Sequence, residues 1–272
     1  MATPAAEPLL DPPGVCSGFQ GLRVGAGSAW ANSVVAVFPS TMAPACFSRR
    51  TAVESNEGIK SARTFDPPVV FVPAGAAMDS VMECAYAGLG LIVVITEQIP
   101  VHDTMKAIEF ARLQGSVVIG PNCPGLICPG ECKLGIIPSQ LATRGNVGVV
   151  SRSGTLTYEV IHELTRAGIG QSTVVGIGGD PVIGQTFSDV LSRFEEDPET
   201  KAVVLIGEVG GALEEEGAAS ADLPIVAYIA GITAPPEKRM GHAGAIIEGG
   251  EGDARSKIRR LVEMGITVAE RP

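Results

Sequence analysis

Short apolar runs alternate with amphipathic segments along most of this chain. An apolar run of about four to eight residues is typical of a buried strand, whereas apolar residues that recur every three or four positions predict a helix. The first half of the pattern predicts strands over 69–73, 91–97 and 117–121, with helices over 78–87 and 104–114. Strand–helix–strand–helix–strand is half of a doubly wound parallel sheet.

The same alternation returns in the second half of the chain. It predicts strands over 147–150, 173–177, 202–208, 224–230 and 266–269, helices from 155, over 187–195 and over 253–263, and a weak helix over 214–222. Residues 122–145 are rich in Pro, Gly and Cys, which favours a connecting loop. We therefore predict an α/β protein with two doubly wound parallel-sheet domains, over 1–121 and 146–272, in which residues 22–66 are atypical because they show neither period.

Composition narrows the possible classes of partner. The chain has 272 residues, which is enough for two compact domains, and a formal net charge of −10. This charge argues against a nucleic-acid or anionic-membrane surface, which needs a basic stripe. No apolar run approaches the roughly 18 residues that span a bilayer. Residues 1–8 are acidic and Pro-rich and resemble neither a secretory signal nor a transit peptide.

Six cysteines occur, and three of them cluster at Cys123, Cys128 and Cys132. A zinc site usually contains a Cys-x-x-Cys pair and a fourth ligand, and neither is present. Disulfides are not expected in a chain of this length without a secretion signal. We expect reduced thiols packed in loops and no metal site.

One histidine stands in an unusual setting, the segment Gly-His-Ala-Gly at 241–244. His242 follows a Pro-rich loop past the carboxyl end of a predicted strand, where open α/β sheets bind their ligands. Its small neighbours let a bulky anion approach the ring, and histidine can act as a nucleophile near neutral pH. The alternative is a histidine that only caps a loop.

A carboxylate at a neighbouring strand end could serve this histidine. Glu208 ends the apolar run 202–208 and precedes Val-Gly-Gly, so it reaches the same sheet edge. A carboxylate that accepts a ring N–H orients the imidazole and stabilises its charged form. The alternative is a solvated loop acid, for which the acidic run 214–216 is the example.

A third feature is a helix start rich in hydroxyls and glycine. The predicted strand 147–150 runs into Ser-Arg-Ser-Gly-Thr at 151–155 and then into an amphipathic helix. The free N–H groups and the dipole of a helix start bind phosphate. Ordinary N-capping by Ser153 or Thr155 is compatible with this role. The Gly-x-x-x-x-Gly-Lys loop of many nucleotide-binding proteins does not occur in the sequence.

Together these segments resemble the family of succinate–CoA ligase (succinyl-CoA synthetase) α subunits. The similarity runs from about residue 69 to the C-terminus, in family order. It is carried by Gly-Pro-Asn-Cys-Pro-Gly at 120–125, Pro-Gly-Glu-Cys-Lys at 129–133, Ser-Arg-Ser-Gly-Thr-Leu-Thr-Tyr-Glu at 151–159, Gly-Ile-Gly-Gly-Asp-Pro at 176–181, Gly-Glu-Val-Gly-Gly at 207–211 and Arg-Met-Gly-His-Ala-Gly-Ala-Ile-Ile at 239–247. Several long motifs in register are far more specific than one short pattern.

The resemblance implies a fold and a set of roles. A Rossmann-like CoA-binding domain would be followed by a flavodoxin-like ligase domain that carries a phosphohistidine. His242 would carry the phosphoryl group and Glu208 would hold the histidine. The remaining implied roles are phosphate binding at Ser153, Gly154 and Thr155, and a place beside the acyl substrate for Tyr158.

The resemblance also implies contacts with coenzyme A. The matching positions are a glycine-rich loop, a strand end and a cysteine near the CoA thiol: Gln20, Gly21, Leu22, Arg23, Ile95, Thr96, Glu97 and Cys123. Residues 22–66 depart from the family pattern, and no lysine precedes Lys60 to contact the CoA phosphates as a family lysine does. The chain is also expected to end about one helix earlier than family members.

The implied reaction interconverts succinyl-CoA, nucleoside diphosphate and phosphate with succinate, CoA and nucleoside triphosphate. Mg²⁺ and ATP or GTP would bind to a partner β subunit in a heterodimer or heterotetramer, and the small-molecule substrate would be a dicarboxylate. The location would be intracellular, in the mitochondrial matrix of a eukaryote or the cytoplasm of a bacterium. The alternatives are a malate– or citrate–CoA ligase subunit, a catalytically impaired binding subunit without a full CoA site, and a generic Rossmann module, which lacks the Gly-x-Gly-x-x-Gly loop.

Overall fold

A computed structural model describes residues 34–37, 68–234, 241–246 and 252–272. Within these ranges the chain forms one four-stranded and one seven-stranded sheet. The predicted CoA loop, Gln20, Gly21, Leu22 and Arg23, lies outside the described residues.

The first sheet is built from strands and helices in alternation. Its strands, in spatial order, are β1 (Val34–Val37), β2 (Pro68–Phe71), β3 (Leu91–Val94) and β4 (Val117–Ile119). Strand β1 is antiparallel to β2, and the other neighbours are parallel. Helix α1 (Ala74–Tyr86) follows β2, and helix α2 (Val101–Leu113) follows β3.

Both helices of this first unit pack on one face of its sheet. Val70 and Ile92 from the strands share a buried cluster with Ala77 and Ala107 from the helices. Val93 and Ile95 point the other way and belong to a cluster that continues into the second sheet. The alternation of side chains along a strand explains this division between two cores.

The second sheet follows in the chain and contains most of the described helices. Its strands are β5 (Gly125–Cys128), β6 (Cys132–Gly135), β7 (Arg144–Ser151), β8 (Gln171–Gly176), β9 (Ala202–Glu208), β10 (Ile225–Ala230) and β11 (Thr267–Val268). Its helices are α3 (Gly154–Arg166), α4 (Phe187–Glu196), α5 (Leu213–Ala219) and α6 (Ala254–Glu263). The spatial strand order is β11-β10-β9-β7-β8-β5-β6.

The hairpin β5–β6 corrects the prediction of a connecting loop over 122–145. It joins the second sheet through antiparallel pairing of β5 with β8. Each strand has only four residues, and all of β5 is buried. The Pro, Gly and Cys content that indicated a loop belongs partly to the tight turn at 129–131, because turns favour Pro and Gly.

The five parallel strands have the order β8-β7-β9-β10-β11, which is the flavodoxin-like order. Val160 and Ile161 of α3 pack on one face of the sheet, and Phe187 and Phe194 of α4 pack on the other. The predicted α/β class with mainly parallel sheets is therefore confirmed; the second sheet has helices on both faces, whereas the described helices of the first sheet lie on one face. The chain leaves β7 and β9 toward opposite edges of the sheet, so a crevice opens at their carboxyl ends.

Candidate functional site

His242 and Glu208 meet at the carboxyl edge of the second sheet. Glu208 is the last residue of β9, and its Oε2 lies 2.7 Å from Nδ1 of His242. The carboxylate is buried and the imidazole is partly exposed. The hydrogen bond from Glu208 raises the pKa of His242 above its ordinary value, although burial opposes the rise. When the Nδ1–H group donates to Glu208, Nε2 keeps its lone pair and is free to act as a nucleophile.

Two glycines hold the histidine segment against the loop that follows β8. A Cβ added at Gly179 would lie 2.3 Å from Cγ of the His242 ring, which is closer than real Cβ contacts. The Gly244 N–H donates to the Gly179 carbonyl at 3.0 Å. The ring therefore rests directly on backbone, and the missing side chain at Gly179 is what makes room for it.

The start of α3 supplies the expected helix N-terminus. Ser153 is the N-cap, and its Oγ accepts the Leu156 N–H at 3.4 Å. Gly154 and Thr155 follow at the surface of a cavity, whereas Ser153 is buried and does not line it. Of the three predicted phosphate-binding residues, two are brought to the cavity and the third holds the helix start in place.

One cavity of about 650 Å³ connects the candidate residues of the two sheets. Its walls come from the strand ends of the first sheet, from the segment before β5, from the start of α3 and from the histidine segment. The lining residues are Phe71, Val72, Pro73, Ala74, Ile95, Thr96, Glu97, Gln98, Asn122, Cys123, Pro124, Ile136, Gly154, Thr155, Tyr158 and His242. Every described CoA candidate thus shares a cavity with the histidine.

Two of these CoA candidates also have structural contacts. The Thr96 hydroxyl donates to the Val72 carbonyl at 2.8 Å, which ties the end of the first sheet together. The Cys123 thiol donates to the Val94 carbonyl at 3.2 Å. Burial raises the pKa of this thiol to about 12, so it stays protonated at neutral pH. Cys123 can border a ligand here, but it is a poor nucleophile.

An amide–carboxylate pair links the two sheets beside the histidine. Asn122 has a φ of +54° and donates from Nδ2 to Asp180 at 3.0 Å. Its backbone N–H donates to the Thr96 carbonyl, and its own carbonyl accepts the Gly179 N–H. Burial raises the pKa of Asp180, and the bond from Asn122 opposes this rise. The pair therefore joins the CoA candidates to the loop under the histidine.

Sequence reasoning missed the buried charges behind Glu208. It treated the acidic run 214–216 as solvated, but Glu214 is completely buried and Glu215 nearly so. Lys257 is also completely buried and forms an ion pair with Glu214. The available signal was the position of Lys257 between Ala254 and Leu261, at the spacing of the apolar face of α6.

Tyr158 is the last of the candidates that the sequence suggested. Tyr158 of α3 lines the cavity and is partly buried, which raises the pKa of its phenol. His102 and His162 are exposed on α2 and α3, away from the cavity lining.

In the parts of the chain that the structure describes, no group of three or more His, Cys, Asp or Glu side chains could hold a metal ion. Within the same parts, no helix is long and apolar enough to cross a membrane.

Comparisons with known proteins show the family to which the chain belongs. A family model described as CoA-ligase matches residues 150–266, which contain α3, Glu208 and His242. The chain is 58% identical over 207 residues to the succinate–CoA ligase [ADP-forming] subunit alpha 2 of Archaeoglobus fulgidus, covering 75% of this chain and 72% of that relative. It is 55% identical over 208 residues to the corresponding alpha subunit of Staphylococcus epidermidis, covering 75% and 69%.

A solved structure extends the likeness to the fold. ATP citrate lyase from Methanothrix soehngenii, in complex with citrate and coenzyme A, superposes with a TM-score of 0.69 at 27% sequence identity. The match covers 75% of this chain and 36% of the lyase chain, so this chain spans about a third of that enzyme. The fold is that of an α/β protein with a CoA-ligase domain. The chain belongs to the family of succinate–CoA ligase α subunits.

Proposed function

We propose that this chain is the α subunit of a succinate–CoA ligase and that it carries the reaction's phosphohistidine on His242. One observation carries the proposal. The His242 ring, held by Glu208 at 2.7 Å, lines a cavity that also contains Ile95, Thr96 and Cys123. A thioester bound from the first sheet and a phosphoryl group bound at α3 would therefore meet at this ring.

The first chemical step forms an acyl phosphate. Inorganic phosphate attacks the thioester carbon of succinyl-CoA, the C–S bond breaks, and CoA leaves as a thiol after taking a proton. The free N–H groups at the start of α3, at Gly154 and Thr155, would stabilise the phosphate oxygens. Tyr158, one turn further along α3, would lie beside the acyl chain.

The second step transfers the phosphoryl group to the histidine. Nε2 of His242 attacks phosphorus, the bond from phosphorus to the acyl oxygen breaks, and succinate leaves. The ring then carries positive charge at Nδ1–H, and the Glu208 carboxylate 2.7 Å away stabilises it. Splitting the transfer into two steps lowers each barrier.

The last step requires a partner. We propose that phosphohistidine passes its phosphoryl group to a nucleoside diphosphate on a β subunit, in a heterodimer or heterotetramer, with Mg²⁺ and the nucleotide bound by β. The sequence contains no Gly-x-x-x-x-Gly-Lys loop. We also propose two domains within this chain, with CoA bound by residues 1–121 and the phosphohistidine carried by residues 146–272.

The direct test is phosphorylation of the histidine. The purified chain is mixed with a family β subunit, Mg²⁺ and labelled ATP or GTP, and the phosphate is located by mass spectrometry. We expect acid-labile, base-stable label on His242 and none in His242→Ala. Exposed His162→Ala on α3 is the matched control and should label normally. Label at another residue, or label that persists in His242→Ala, would refute the assignment.

A second assay identifies the dicarboxylic acid substrate and tests whether the chain binds CoA. The α–β complex is assayed with succinate, malate and citrate, and CoA binding is measured by calorimetry. The 58% identity to a succinate–CoA ligase subunit, against 27% to the citrate lyase, favours succinate. Labelling of His242 without measurable CoA binding would instead indicate the impaired binding subunit.

A further inference from the structure

A buried arginine lies on the far side of Glu208 from the histidine. Arg152 follows β7 and is only 3% exposed. Its Nε lies 3.5 Å from Oε1 of Glu208, so the two groups form an ion pair. Among the described residues, neither of these two buried atoms has a hydrogen-bond partner. Glu208 therefore stands between two groups, with Oε2 toward His242 and Oε1 toward Arg152.

The rest of the guanidinium contacts the segments around the histidine. Its Nη1 donates to the Gly210 carbonyl at 3.4 Å, just beyond the end of β9. Its Nη2 lies against Gly244, where an added Cβ would be only 2.5 Å away. One planar group thus contacts the end of β9 and the histidine segment at the same time, and a guanidinium can do this because its donors form a rigid fork.

Glu208 is the main charge partner of Arg152, because the other carboxylates nearby pair with other cations. Glu214 lies 3.7 Å from Nη1, but it is already paired with buried Lys257 and accepts the Glu208 N–H. Lys257 also lies 3.6 Å from Glu215, which has a second cationic neighbour in Arg260 at 3.8 Å. A buried charge is tolerated only when nearby groups offset its loss of water. For Arg152, that group is the carboxylate that also holds the histidine.

We propose that Arg152 is a positioning residue of the phosphohistidine site: it holds Glu208 and the Gly244 backbone in place and balances the carboxylate that faces His242. The role rests on the proposed function, since it concerns the nucleophile of that reaction. Arg152 acts through Glu208 and the histidine segment, and no contact with substrate is assigned to it.

The charge balance has a direction that can be measured. Among the described residues, the charged groups that face His242 are Glu208, Arg152 and Asp180. Glu208 and Asp180 raise the pKa of the ring, whereas Arg152 lowers it. Removal of the Arg152 charge should therefore raise the pKa of His242 further. More of the ring would then be imidazolium at neutral pH, and imidazolium has no lone pair on Nε2.

The first experiment measures the ring without any reaction. The full chain is labelled with ¹⁵N, and the His242 ring nitrogens are titrated by NMR in wild type, Arg152→Gln and Arg152→Lys. We expect the midpoint to move to higher pH in Arg152→Gln and to stay near wild type in Arg152→Lys, which keeps the charge. Arg193→Gln is the matched control, because Arg193 is buried in α4 and donates to Gln185. An unshifted midpoint in folded Arg152→Gln would overturn the charge role.

The second experiment measures transfer in the α–β complex. We expect the rate of His242 labelling in Arg152→Gln to fall at pH 7 by roughly tenfold to a hundredfold, because a hydrogen bond to a charged group typically contributes that much. The rate should recover partly at higher pH, where less of the ring is protonated. Arg152→Lys should also be slower at every pH, because lysine cannot make the forked contact. If the glutamine variant does not fold, the lysine variant decides, and wild-type labelling by it would overturn the positioning role. No labelling of wild type would refute the proposed function and leave the NMR result unaffected.

Discussion

A single methyl group at Gly179 should disable the histidine while leaving the fold intact. The backbone at Gly179 is not in the left-handed region, so alanine is conformationally allowed there. The added Cβ would lie 2.3 Å from Cγ, 2.6 Å from Nδ1 and 2.7 Å from Cδ2 of His242. The nearest obstacle is therefore a side chain that can move, and the ring is what the methyl group displaces.

The size of the displacement follows from these contacts. Non-bonded carbon atoms approach to about 3.5 Å, so the ring has to retreat by roughly 1 Å. The bond from Nδ1 to Glu208 is 2.7 Å long, so a ring displacement of about 1 Å takes this pair out of normal hydrogen-bond geometry. A misplacement of about 1 Å in a reacting group costs on the order of a hundredfold in rate. We expect this loss in the labelling rate of His242.

The assay compares Gly179→Ala with Gly75→Ala. An added Cβ at Gly75, in helix α1, has nothing within 4 Å, so this variant should label like wild type. Circular dichroism and thermal unfolding establish that both variants are folded. A folded Gly179→Ala that labels at the wild-type rate would show that the ring position in this structure is not the reactive one.

Three further predictions concern the same site. Glu208→Gln should fold but should label His242 about a hundredfold more slowly. The amide lacks the charge that stabilises imidazolium, and its NH₂ group would face the guanidinium of Arg152. An unchanged labelling rate would show that Glu208 has no role in the transfer. The raised pKa of His242 means that its bond to Glu208 stabilises the fold fully at pH below about 6.5 and less as pH rises through the folded-state pKa. The difference in Tm between wild type and His242→Ala should accordingly narrow with rising pH, and a widening difference would contradict the sign. Cys123, whose pKa is raised to about 12, should resist iodoacetamide at pH 8 until the chain is unfolded, as peptide mass spectrometry can check; rapid native labelling would count against its burial.

The local pattern of apolar and polar residues was sufficient to predict most of the helices and strands. The predicted strand 202–208 coincides with β9, and the predicted helix 187–195 is one residue shorter than α4. Both are bounded by strong signals: an apolar run that ends in Gly-Glu, and a capping box at Thr186 and Asp189. Helices α1 and α2 begin before their predicted starts, after Pro73 and Pro100, because proline is well tolerated at a helix start.

The sequence by itself determined which residues were candidates for the site. His242, Glu208 and the start of α3 were each singled out by a strand end, by small neighbours or by a helix start, which are features of the nearby chain. Their convergence was expected because strands that run parallel bring their carboxyl ends to one edge. The distance of 2.7 Å between the ring and the carboxylate is consistent with that expectation.

Only the tertiary structure decided what lies behind and between these residues. Arg152, Glu214 and Lys257 come from segments far apart in sequence, and charged residues are usually exposed; the spacing of the apolar face of α6 indicates a buried position for Lys257, but no local pattern shows which charges pair with each other. The hairpin β5–β6 likewise owes its place to pairing with β8, a contact made across more than forty residues of chain. Burial and pairing depend on the position of the whole chain in space, and for that reason the charge network under the histidine could be found only in the folded protein.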